Sequence, residues 1–202
     1  ASYGLTAPAQ APSIPDASPA DMPDKAESPR QRILRTASEL FYRQGYAATG
    51  INQIIREAEV AKATFYTNFP SKGELGTAWL EMRSRAWINR MRTVVKAETE
   101  GRACVRALFD ALEAWLVEVD YRGCPFLNTL AELPGRDDPM HDPICLHMKE
   151  LRKLFRRVPG IDSAAADRVF VNFYGAMALA PAVHDPWPVH AARDASEELV
   201  GS

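Results

Sequence analysis

From Ser28 to about Ala97 the apolar residues recur at spacings of three and four, the repeat of an amphipathic helix. Ser28-Pro29 offers an N-cap followed by proline at the first helical position. Ile33, Ala37, Leu40 and Phe41 then form one apolar stripe, which Gly45 closes. A short second helix fits Ile51 to Ala58, capped by Thr49, with Ile51, Ile54 and Ile55 turned inward. A third spans about Ala61 to Phe69. Pro70-Ser71 ends it, and Ser71-x-x-Glu74 is a capping box that opens a long fourth helix reaching about Ala97.

The remaining pattern is also helical, with segments at 102–119, 125–133, 143–158, 162–183 and 188–200. Gly101, Gly123, Pro134-Gly135, Pro159-Gly160 and Asp185-Pro186 punctuate it. Pro181 is expected to kink or end its helix. No stretch alternates as a strand does, and no repeat or hairpin signal is present, so the fold class is all-α. Pro8, Pro12, Pro15, Pro19 and Pro23 rule out regular structure at the start, and residues 1–27 read as a Pro/Ala-rich tail or linker.

Composition narrows the setting. Of 202 residues, 47% are hydrophobic and 25% charged, ordinary for a chain with a real core. The longest apolar run, Ala176 to Val183, is interrupted by Pro181 and falls far short of the roughly 20 residues a bilayer requires. Nothing near residue 1 resembles a secretory signal, and the chain reads as cytoplasmic. Cys104, Cys124 and Cys145 are widely spaced and fit free thiols. His141, Cys145 and His147 do not have a zinc-ligand spacing, so neither metal nor cofactor is expected.

Charge is unevenly placed. Residues 28–96 carry 12 Lys and Arg against 5 Asp and Glu, a net of +7, while the remainder carries −9. A basic segment built of three short, tightly joined helices fits a helix-turn-helix, whose second helix enters the major groove. Ala61-Lys62-Ala63-Thr64-Phe65-Tyr66-Thr67-Asn68-Phe69 has the composition this needs. Phe65 and Phe69, four apart, face a core, leaving Lys62, Ala63, Thr64, Tyr66, Thr67 and Asn68 for the outside.

The run Ala58-Glu59-Val60-Ala61-Lys62-Ala63-Thr64-Phe65-Tyr66-Thr67-Asn68-Phe69-Pro70-Ser71-Lys72-Gly73-Glu74-Leu75 resembles the TetR-family signature A-G-V-S-K-G-T-L-Y-x-H-F-x-S-K-E-E-L. The upstream Phe41-x-x-x-Gly45-Tyr46-x-x-Thr49 is similar as well. The resemblance implies a helix-turn-helix DNA-binding domain over 28–75, joined by a long helix to a helical ligand-sensing and dimerisation domain over 76–202. It implies a homodimeric regulator, most often a repressor, released from double-stranded operator DNA by a small-molecule or electrophile signal. Thr49 and the start of the second helix then touch phosphate, Lys62, Ala63 and Thr64 lie at base edges and backbone, and Tyr66 and Lys72 bind phosphate. Two positions depart from the pattern: Glu59 stands where the family has glycine, and Ala61 replaces a serine cap.

In the second half, Trp79, Trp87, Phe109, Leu112, Trp115, Met148, Phe155, Phe170 and Tyr174 are candidates for a ligand pocket or for plain core. Phe170, Phe173, Met177 and Ala178 alternate with small residues as a dimer face or an intrachain helix contact. The stretch Gly123-Cys124-x-x-x-Asn128-x-x-x-Glu132 resembles a TetR subgroup in which some members respond to electrophiles or oxidants. Cys124 is thus either a redox-sensing thiol at a helix N-terminus or a small buried one. The rival readings are a helical protein-interaction scaffold and a small helical enzyme without DNA binding. No Gly-x-Ser-x-Gly, nucleotide loop or zincin motif supports enzymatic activity.

Overall fold

The computed structural model describes residues 27–200, and the proline-rich tail expected over 1–27 lies almost wholly outside them. The described residues form nine helices and no strand. These are α1 (Pro29–Gln44), α2 (Ile51–Glu57), α3 (Lys62–Asn68), α4 (Lys72–Ala97), α5 (Gly101–Glu118), α6 (Pro125–Glu132), α7 (His141–Phe155), α8 (Ser163–Val183) and α9 (Trp187–Glu197).

The starts of α1 and α4 follow their local chemistry. Ser28 Oγ accepts the Gln31 N–H, the Gln31 side chain accepts the Ser28 N–H, and Pro29 takes the first helical position. Ser71 Oγ accepts the Glu74 N–H at 3.1 Å. At α2 the cap is Gly50 rather than Thr49. Thr49 is fully buried and its hydroxyl donates to the Gly45 carbonyl at 2.7 Å, so it closes the preceding turn instead of opening the helix.

Helices α1, α2 and α3 enclose a small core of Ile33, Leu40, Ile54 and Phe65, to which α4 adds Leu75 and Trp79. At 26 residues, α4 is about 39 Å long and carries the head onto a bundle of α4, α5, α7, α8 and α9. Pro181 does not end α8 at its own position: the helix runs two residues further, to Val183. Lacking an N–H, it forfeits the bond to the carbonyl four residues back, and its ring packs against Gly123.

Head and bundle pack tightly around Gly76. A Cβ there would stand 2.6 Å from Met140 Sδ and 2.8 Å from the Tyr46 ring, both tighter than van der Waals contact allows. Gly76→Ala is therefore expected to destabilise the chain by about 1–3 kcal/mol, the usual cost of overpacking, measured by urea unfolding; an unchanged midpoint would contradict this packing.

Candidate nucleic-acid interface and effector cavity

The exposed face of α3 is set by two anchors on its other side. Phe65 and Phe69 are buried at 0% and 1% exposure, which turns Lys62, Ala63, Tyr66 and Thr67 to solvent. Tyr66 is 41% exposed, and its ring packs edge-on against Phe65, so the hydroxyl is carried outward on a fixed base. Thr64 is half-buried. Asn68 turns back, its amide donating to the Thr64 carbonyl at 2.8 Å, while Thr67 Oγ1 donates to the Ala63 carbonyl. Arg30 donates to the Asn68 carbonyl at 2.6 Å and lies over the Phe69 ring, closing the end of α3. The two departures from the signature are both visible: Glu59 takes a left-handed φ of 51°, and Ala61 gives α3 no side-chain cap.

Two residues assigned to phosphate are engaged elsewhere. Thr49 is buried, with its hydroxyl donating to Gly45, because α1 must turn sharply there. Lys72 is half-buried; its ammonium donates to the Ala47 carbonyl at 3.2 Å and sits 4.4 Å from the Tyr46 ring centre. Desolvation lowers its pKa, partly opposed by the charge of Glu132.

Within the bundle lies a cavity of about 370 Å³, inside the size range of small-molecule sites. Of the aromatic candidates read from the sequence, Trp87, Trp115 and Tyr174 line it. Trp79, Phe109, Leu112 and Phe155 do not; each is fully buried between helices. Met148 and Phe170 are half-buried against the core and also lie off the cavity wall.

The wall includes residues that the sequence reading did not place there: Arg83, Arg90, Phe126 and His147. His147 joins four helices. Its Nδ1 is 2.9 Å from Ser84 Oγ on α4, its Nε2 is 3.2 Å from the Tyr174 hydroxyl on α8, and its ring stacks on Phe126 of α6 at 3.7 Å. Burial pushes its pKa down to about 4, so the ring is neutral near pH 7. In sequence this histidine has no distinguishing neighbour, since its partners come from three distant helices.

Cys124 caps α6 and also borders the cavity. Burial pushes its thiol up to about 11, outweighing the Phe126 and Leu127 backbone N–H groups at the helix start. It is therefore protonated at neutral pH, without the depressed pKa that a thiolate sensor uses. The rest of its motif ties α6 to the head. Asn128 donates to the Arg122 carbonyl at 3.2 Å, and Glu132 accepts the Ala47 N–H at 2.6 Å. At the other end of α6, Tyr42 donates to the Gly123 carbonyl and Arg122 Nε to the Tyr42 carbonyl, both at 2.9 Å.

The α8 candidates divide. Phe173 and Met177 are buried within their own chain, Met177 on the cavity wall, because they occupy the face turned to α5 and α7. Phe170 is half-buried against Phe155, and Ala178 is exposed.

The head and the bundle both match known proteins. Residues 33–78 match the model for bacterial regulatory proteins of the tetR family, and residues 101–169 match the tetracyclin repressor-like C-terminal domain. SCO4454, a TetR-family transcriptional regulator from Streptomyces coelicolor, is 30% identical with a TM-score of 0.73, over 85% of this chain and 93% of that one. NemR of Escherichia coli superposes with a TM-score of 0.74 at 19% identity, over 87% of this chain and 98% of that one. A HTH-type transcriptional regulator in the lacX 3' region of Lactococcus lactis is 27% identical over 61% of this chain, and the match spans 64% of that relative's length. The chain belongs to the TetR family of transcriptional regulators, a family of DNA-binding proteins and not of enzymes.

The histidine at the cavity supplies a pH test. Its folded pKa, about 4, lies below its ordinary value of 6.5, so between those values the unfolded chain holds more protons than the folded one. The stability tied to neutral His147 is complete above pH 6.5 and declines as pH falls toward 4. Urea unfolding at pH 7 and pH 5 should show the wild type losing up to about 2 kcal/mol more than His147→Gln; parallel losses would show that this ring is not held neutral.

Proposed function

We propose that the chain is a homodimeric repressor whose hold on operator DNA is released when a small molecule enters the cavity of the 76–202 domain. The single observation that carries this reading is α6. Its first turn, with Cys124, Pro125 and Phe126, is cavity wall, and its last residue, Glu132, is bonded to the Ala47 N–H in the head. Whatever displaces Phe126 moves the partner of Ala47. A ligand with different affinities for the two head positions shifts operator affinity by that difference. NemR, similar in fold and 31% identical over 68 residues, is named a repressor.

The DNA face belongs to the 28–75 domain. Lys62 and Tyr66 reach phosphate, Ala63 and Thr67 present a small surface to base edges, and Thr64 and Asn68 shape the helix behind them. Thr49 and Lys72 act at one remove, by fixing the turn between α1 and α2. The basic balance of residues 28–96 favours a polyanionic partner. No helix of the described residues is long and apolar enough to cross a membrane, and the repressor works in the cytoplasm.

Pairing uses the outer face of α8. Val171, Gly175, Ala178, Leu179 and Val183 are exposed at helical spacing, with Val171 at 67% and Leu179 at 52%, and Trp187 stands at the head of α9. A second copy related by a twofold axis covers this face and spaces two heads one turn of DNA apart, roughly 34–36 Å.

Fluorescence anisotropy with the DNA upstream of the chain's own gene tests the reading. The wild type is expected to bind specifically, with affinity falling steeply as salt rises. Lys62→Ala should weaken binding and reduce the salt slope by about one per protomer, since a phosphate contact is lost. Glu132→Ala should weaken binding by about tenfold and leave the slope unchanged, because it frees the head without removing a phosphate contact. Salt-insensitive binding, or Lys62→Ala indistinguishable from the wild type, would sink the DNA-binding face as drawn.

A further inference from the structure

We propose that the cavity receives a flat aromatic monoanion of one or two rings, an aromatic carboxylate, with its rings between the indoles and Phe126 and its carboxylate at Trp87 Nε1 and Arg90. This rests on the reading of the cavity as the effector site and names the chemistry of that effector.

Shape comes first. Trp87 and Trp115 stand with ring centres 5.0 Å apart at an angle of 56°, a touching pair that gives the cavity an indole wall. The Phe126 ring, stacked on His147, and Tyr174 line the same cavity. Aromatic walls of this kind favour a planar guest that stacks or meets them edge-on. A volume of about 370 Å³ admits a small ring system and excludes extended polycyclic or lipid-like molecules.

Polarity then selects the anion. Among the described residues, Trp87, whose side chain lines the cavity, has a buried Nε1–H with no acceptor, which a ligand oxygen brought up to the indole would satisfy. Arg90 makes one contact to Glu118, at 3.4 Å, and its guanidinium has further N–H groups in a fixed fork suited to a carboxylate. It also lies 6.0 Å from the Trp87 ring centre, so the two side chains are neighbours on the wall. Glu118 is the one carboxylate of the wall, against the guanidiniums of Arg83 and Arg90. The other titratable wall groups are neutral: His147 and Cys124 for the reasons given, and Tyr174 because burial raises its pKa well above the usual value. A cation would meet two like charges; an uncharged ring would leave the donors poorly served.

Isothermal titration calorimetry on the full chain tests the class with four probes: benzoate, 2-naphthoate, the neutral 2-naphthylmethanol and the cationic 2-naphthylmethylamine. At least one acid is expected to bind saturably, 2-naphthoate at least tenfold more tightly than its alcohol, and the amine not at all. Trp87→Phe keeps a ring but removes the N–H, and should weaken 2-naphthoate by about tenfold while leaving the alcohol nearly unchanged. Arg90→Gln should do the same, and gives an independent variant if Trp87→Phe folds poorly. The proposal is overturned if neither acid binds, if the alcohol or amine binds as tightly as 2-naphthoate, or if the acid is indifferent to both substitutions. Anisotropy on operator DNA separates the two ideas. Acid binding that leaves DNA affinity unchanged supports the ligand class and defeats release; release by the alcohol and the acid alike defeats the ligand class and supports release.

Discussion

The hydrogen bond from the Ala47 N–H to the Glu132 carboxylate, 2.6 Å long, is the contact on which the rest of the architecture turns. It joins a turn of the head to the last residue of a helix whose first turn is cavity wall. The local backbone is arranged to permit it. Gly45 has a φ of 98°, and a Cβ on it would stand 2.9 Å from Glu132 Oε1, so both the turn and the approach of the carboxylate require glycine. Lys72 then takes the carbonyl of the same Ala47 residue, so this one residue is held from both sides. A rigid helix of eight residues cannot absorb a displacement at one end, and Tyr42 is held from its opposite end by Gly123 and Arg122.

That arrangement explains why a segment resembling a sensor motif carries a thiol in its neutral form. The glycine, asparagine and glutamate of the motif each have a mechanical task here. Gly123 adopts a φ of 84° and offers its carbonyl to Tyr42, Asn128 ties off the loop, and Glu132 holds the head. Cys124 sits between them, small enough to cap α6 and to border the cavity, and burial keeps its proton on. A buried cysteine in this form packs as a small apolar side chain.

The helices were legible because their signals are local: the Ser28 capping box, the Ser71 cap and the apolar stripes all lie within a few residues of the features they set. The outward face of α3 was legible for the same reason, since Phe65 and Phe69 fix it by spacing alone. The cavity was not. Trp87 and Phe109 look alike in sequence, yet one lines the cavity and the other is packed shut, a difference made by helices far away in the chain. Thr49 and Lys72 have residue types that suit phosphate, but the contacts they make here could not be read from sequence, because the turn after α1 brings the Gly45 and Ala47 carbonyls to them. Phe173 and Met177 face inward because they lie on the α8 face that packs into the bundle, alongside buried Ala166, Ala176 and Ala180, while Val171 and Leu179 lie on the opposite, exposed face.

On the proposed reading, the scale of the coupling between cavity and head follows from these contacts. A hydrogen bond to a charged acceptor contributes about 1.5–3 kcal/mol, and coupling between sites in regulators is typically about 1–3 kcal/mol. One bond such as Ala47–Glu132 is thus of the size that the proposed release calls for, without a concerted rearrangement of the core. In the proposed homodimer both heads hold DNA together, so the losses of the two protomers compound. The head itself is held mainly by its buried aromatics: α3 has an uncapped start and a left-handed Glu59 before it, and Phe65 and Phe69 secure it from the inside. A helix secured in this way can be re-aimed as a unit with α1 while its own shape is kept, which is what a reading head must do if a ligand some distance away is to change its spacing and not its fold.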